Sequence, residues 1–99
     1  MRVVYSTQSK TDLKDIANWI SEESIPAAKR MIAKLQERCA DLRAQPQRFP
    51  TLNRRSAIRR RVVDAYIIFY LILDDHVQIV RILHGARNYI DIFEQDDPA

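Results

Sequence analysis

The chain is short of glycine, cysteine and, over its last two thirds, lysine. Its one glycine is Gly85, its one cysteine is Cys39, and no lysine follows Lys34. A lone cysteine excludes an internal disulfide and fits a reducing compartment. No apolar stretch reaches the roughly 18 uncharged residues of a membrane span. The first residues, Met1 to Thr7, lack the apolar core of a secretory signal. These absences together predict a cytoplasmic protein with no membrane partner. A single glycine marks a place where the backbone needs a positive φ or a close approach.

What is present fits one domain. Ninety-nine residues, 46% hydrophobic and 29% charged, can fill a single core. The net charge of +3 is unevenly spread. Residues 1–45 carry eight basic and six acidic side chains, residues 46–87 carry eight arginines and three aspartates, and residues 88–99 carry four acids and no base. The basic half is therefore all arginine, whose planar fork suits carboxylate or phosphate. Charge alone does not choose between a nucleic acid and an acidic protein surface.

Arg2 to Tyr5 reads as a short strand. Ser9 is the expected cap of a first helix, with Asp12 three residues on in a capping-box arrangement. Leu13, Ile16, Ala17 and Ile20 then recur on one helical face, and Trp19 flanks that stripe as a partly buried packing residue. Pro26 breaks the helix and opens a second, expected from Pro26 to Ala44. Its seam is Ala28, Ile32, Leu35, Cys39 and Leu42, with Cys39 a buried small hydrophobe. After a polar connector holding Pro46 and Pro50 come three strand-like runs: Ile58–Val63, Tyr66–Leu73 and His76–His84. The acidic tail from Glu94 is expected to fray.

The expected architecture is α+β, in the order β-α-α-β-β-β. A helical hairpin packs on a mainly antiparallel sheet. One domain spans residues 1–93, with 94–99 as the tail. If Asp74-Asp75 is a two-residue loop, Tyr70 faces Ile79 and Ile68 faces Arg81. Alternation then puts Ile67, Phe69, Leu71, Val80 and Ile82 on the face that meets the helices. Tyr66, Ile68, Tyr70, Ile79 and Arg81 share the other face, the expected binding surface.

The hairpin pattern Asp12-Leu13-x-x-Ile16-x-x-Trp19-Ile20, the Pro26-Ala27-Ala28 opening of the second helix and Tyr66-x-x-Phe69-Tyr70 form a recognisable set. With Val80-Arg81-Ile82-Leu83-His84-Gly85-Ala86-Arg87, this set resembles ParE-type toxins of the RelE/ParE superfamily over about residues 3–93. The resemblance implies the toxin of a type II toxin–antitoxin pair. It implies DNA gyrase as the target, trapped with cleaved DNA, and neutralisation by a cognate ParD-like antitoxin in a hetero-oligomer. No cofactor or metal is implied, and direct nucleic-acid contact is possible without being required. The residues expected to meet target or antitoxin are Arg59, Arg61, Tyr66, Tyr70, Arg81, His84 and Arg87.

RelE-like relatives instead cleave mRNA on the ribosome, which is the alternative reading. That chemistry needs a base, an acid and cations for the phosphate. Arg61, Arg81, His84 and Tyr89 are the available candidates. The absence of lysine from residues 35–99 removes one possible proton carrier, and arginine is a poor one. His84 followed by Gly85-Ala86-Arg87 is the ParE-like ending, so inhibition of gyrase is the main expectation. Other roles fit the same residues. His84 can brace the turn at Gly85, Arg81 can pair with an acid such as Asp91 or Glu94, and the arginines of 54–61 can protect a strand edge.

Overall fold

A computed structural model describes residues 1–87, 89, 92 and 93. Strand β1 (Arg2–Tyr5) is followed by helices α1 (Thr7–Ser21) and α2 (Ile25–Asp41), then by strands β2 (Arg59–Val63), β3 (Tyr66–Ile72) and β4 (His76–His84). The strand order is β1-β4-β3-β2. β1 runs parallel to β4, and the other two pairs are antiparallel. The expected α+β order is therefore the observed one. Residues 94–99 lie outside the described residues, as do Asp91 and Glu94.

One residue turns β1 into α1. The Ser6 backbone N–H donates to Ile79 O at 2.9 Å and extends the pairing with β4. Its hydroxyl donates to Val80 O at 2.8 Å and accepts from Ser9 N at 3.0 Å, which caps the helix. The cap is thus Ser6 and not Ser9, because the first hydroxyl beyond the strand already lies where the helix must begin. Ser9 is fully buried in the first turn and donates to Ser6 O. Asp12 is correspondingly no capping partner. It sits on the buried face of α1 with Ile16. Trp19 is 71% exposed, contrary to the expected partial burial, so its ring is left to solvent on the flank of α1.

Ser24 caps α2 through Ala27 N, and Pro26 occupies the first turn, where its missing N–H costs nothing. The expected seam holds. Ala28, Leu35, Cys39 and Leu42 are buried, and Ile32 packs against the same core. α2 stops at Asp41, three residues before the expected end.

The sheet faces are the main correction. Tyr70 does face Ile79, but the register then shifts between Phe69 and Tyr70. Phe69 pairs with Arg81 and Ile68 with Ile82, and Val80 is the extra residue. The helices cover Tyr66, Ile68, Tyr70, Val77, Ile79 and Ile82. Of the five residues expected there, only Ile82 joins that core. Ile67, Phe69 and Leu83 instead form a second cluster with Leu52, Ile58, Tyr89, Ile92 and Phe93. β3 is apolar on both faces because both faces are covered.

The glycine expectation also changes. Gly85 has no positive φ, and the left-handed residue among the described residues is Asp64 (φ 54) in the β2–β3 turn. Gly85 N donates to Ala65 O at 2.7 Å, and a Cβ there would meet that oxygen at 3.4 Å, an ordinary contact. Lys34 holds Asp64 at 2.9 Å and ties α2 to the turn.

Candidate functional site

Most of the expected binding side chains are used inside the fold. Arg59 lies on β2 opposite Tyr70. Its Nη1 donates to Phe49 O at 2.6 Å and to Gln47 O at 3.3 Å. Arg61 donates to Arg38 O at 2.8 Å, and its guanidinium lies over the Phe49 ring at 4.7 Å. Tyr70 is fully buried and donates its hydroxyl to Pro46 O at 2.5 Å. These three side chains fasten the connector, including its 3-10 turn Pro46–Arg48, against β2 and β3. A buried phenol is tolerated because its one polar atom finds a carbonyl. Burial pushes the Tyr70 hydroxyl above its usual pKa, against the lowering pull of Arg59 and Arg61.

Tyr66 is buried under the helices, edge-on to the His84 ring with centroids 5.4 Å apart, and burial raises its pKa. Neither tyrosine offers the surface expected of it. The hydroxyl-bearing face is the covered one, and the bulge at Val80 brings Ile82 rather than Arg81 onto it.

Arg81 makes the chain's most buried ion pair among the described residues. Its Nε donates to Asp12 Oδ2 at 2.8 Å and its Nη2 to Asp12 Oδ1 at 3.0 Å. The same carboxylate accepts from Ile82 N at 2.9 Å. β1 pairs with β4 only as far as Ile79, so the edge of β4 beyond that point needs other partners. Ser6 and Asp12 supply them from α1. Arg81 thus has a partner in Asp12, 69 positions away in sequence, and the acids expected for it, Asp91 and Glu94, lie outside the described residues. A carboxylate four residues before Ile16 on an otherwise apolar stripe is the sequence signal for a buried pair.

The far end of β4 is exposed. His84 Nδ1 accepts from Ala86 N at 3.0 Å, and Arg87 N donates to His84 O at 3.0 Å, so the imidazole braces the turn at Gly85. The His84 and Arg87 side chains are both exposed. Tyr89 packs on Phe69 at 5.0 Å and takes the Arg60 guanidinium on its hydroxyl at 3.3 Å. Two of the four nuclease candidates are kept apart by the sheet. Arg61 pairs with Ile68, on the helix side, whereas Tyr89 lies with Phe69 on the opposite face. Cys39 is fully buried, and burial pushes its thiol up to about 11 despite the lowering effects of Tyr5 and Arg61. Among the described residues no group of three or more His, Cys, Asp or Glu is placed to hold a metal ion. No helix there is long and apolar enough to cross a membrane.

The comparisons agree with this architecture. The family model for the ParE toxin of type II toxin–antitoxin systems matches residues 3–89. Toxin RelE2 of Caulobacter vibrioides is 35% identical over 88 residues, covering 87% of this chain and 97% of the relative. The chain therefore belongs to the ParE family of type II toxins, within the RelE/ParE superfamily. Among solved structures, the chromosomal ParDE system of P. aeruginosa superposes with a TM-score of 0.75 at 15% identity, covering 85% of this chain and 95% of that one. The toxin–antitoxin complex RelBE2 of Mycobacterium tuberculosis gives 0.66 at 24% identity, covering 84% and 95%. Both likenesses establish the shared fold.

Proposed function

We propose that this toxin inhibits DNA gyrase, trapping the enzyme with cleaved DNA, and that a cognate antitoxin neutralises it in a hetero-oligomeric complex. The observation that carries the reading is the separation of two nuclease candidates, Arg61 and Tyr89, onto opposite faces of the sheet, in a chain that matches the ParE model over residues 3–89. Cleaving RNA needs a proton donor, a proton acceptor and cations around one phosphate. Here Arg61 and Arg81 are bound to internal acceptors, and Arg61 and Tyr89 lie on opposite faces of the sheet. His84 and Arg87 remain exposed at the end of β4 and are the proposed contacts to target or antitoxin. The structural relatives were solved with toxin–antitoxin systems, which supports the partner.

Purified toxin, added to gyrase with ATP and relaxed plasmid, should abolish supercoiling and accumulate cleaved DNA. Programmed ribosomes with labelled mRNA should leave the message intact. Intact supercoiling with mRNA cut on the ribosome would overturn the proposal and return His84, Arg81 and Tyr89 to catalytic roles.

A further inference from the structure

Between Leu42 and Val63 the chain contains seven arginines and no acidic residue. The structure lays residues 47–58 of this stretch along the outer edge of β2. Leu52 N donates to Ile58 O at 2.9 Å, Arg60 N to Pro50 O at 3.0 Å, and Thr51 bridges Arg59. The Arg59 guanidinium laces the connector to the strand. Among the described residues none of the seven arginines is ion-paired with a carboxylate. Arg59, Arg60 and Arg61 are half-buried on carbonyls or on Tyr89, whereas Arg43, Arg48, Arg54 and Arg55 are exposed.

We propose that this stretch is a contact surface for the phosphate backbone of duplex DNA. The surroundings choose that partner over an acidic peptide. A peptide helix that docks on a protein is anchored by apolar side chains in a hydrophobic groove. The only large hydrophobic exposed in the stretch is Val62, and the other exposed groups include Gln45, Gln47 and Asn53. Arginine and side-chain amides are the usual donors to phosphate and sugar. The same surroundings disfavour a single strand, which is held by aromatic stacking platforms. The one aromatic ring here, Phe49, is taken by Arg61 and Arg48. The proposal does not depend on gyrase as the target, but it would put the toxin against DNA that a topoisomerase holds.

The test is fluorescence anisotropy of a labelled 20-base-pair duplex with the full chain at several salt concentrations. Four phosphate contacts give a slope of log K against log salt of about −3.6, or about 150-fold weaker binding between 50 and 200 mM salt. Replacing Arg54→Gln and Arg55→Gln together should bring the slope to about −1.8. Lys10→Gln with Arg30→Gln removes equal charge from the exposed helices and should leave the slope unchanged. No duplex binding, or equal losses in the two double variants, would overturn the proposal. So would binding of a labelled polyglutamate peptide with none of the duplex, which would assign the stretch to an acidic protein. Supercoiling measured on the same variants separates this result from the gyrase reading. Inhibition that survives without DNA binding refutes the DNA contact alone.

Discussion

Replacing Asp12→Ala should be among the most damaging single changes in this chain. Asp12 is 7% exposed, its carboxylate takes two hydrogen bonds from Arg81 and one from Ile82 N, and the Arg81 side chain is 16% exposed. Alanine would remove the Asp12 carboxylate from a mostly buried guanidinium and from the β4 amide of Ile82. Removing one partner of such a pair costs about 3–5 kcal/mol. At about 4–8 °C per kcal/mol for a domain of this size, the low end lowers Tm by about 12–24 °C. Chemical denaturation of the wild type, Asp12→Ala, Arg81→Ala and the double variant would give the coupling energy directly. A loss below about 1 kcal/mol for Asp12→Ala would refute the argument, because that is the range of an exposed pair. A second arm separates scaffold from contact. Asp12→Leu with Arg81→Met replaces both partners by apolar groups and should recover much of the stability. Growth inhibition retained by that folded variant would make Arg81 a positioning residue. Its loss would mean that Arg81 also touches the target.

Other expectations follow from the same geometry. Tyr70→Phe strands the Pro46 carbonyl and should cost about 1–3 kcal/mol in urea unfolding without abolishing growth inhibition. The Cys39 thiol should resist modification by a thiol reagent until the protein unfolds. Its raised pKa means that its contribution to stability is complete below the unfolded value near 9 and is lost as pH rises through about 11, so alkaline titration of Tm should fall in that window. The His76 imidazole, held by Asp75 at 2.7 Å and by Gln78 at 3.0 Å, should titrate above the ordinary histidine value by NMR and move back down in Asp75→Asn. Arg87→Ala should weaken growth inhibition at equal soluble expression, and unchanged inhibition would remove Arg87 from the target contacts.

The hairpin seam and the limits of β4 were legible because each depends on neighbours a few residues apart. The spacing of Ala28, Leu35, Cys39 and Leu42 marks one face of a helix whatever lies opposite it. The identity of the cap was not legible. Ser6 and Ser9 are equally good candidates until β4 is beside them to accept the Ser6 hydroxyl at Val80 O. The candidate site was legible as a set of residue types, and much less as a set of exposed ones. Arg59, Arg61, Tyr66 and Tyr70 carry the right chemistry for binding, but their donors meet carbonyls or their rings are buried.

By itself the sequence determined the order of elements, the helical hairpin, the two-residue turn at Asp74-Asp75 and membership in a toxin family. All of these rest on local periodicity or on motifs read along the chain. Only the tertiary structure decided which face of the sheet the helices cover and which arginines are free. β3 is apolar on both sides, so its alternation carries no label for inside, and one extra residue at Val80 reverses the phase of β4 beyond it. An arginine's partner is likewise set by what the fold brings near it. Arg81 finds Asp12 across 69 positions, whereas Arg54 and Arg55 have no carboxylate partner among the described residues.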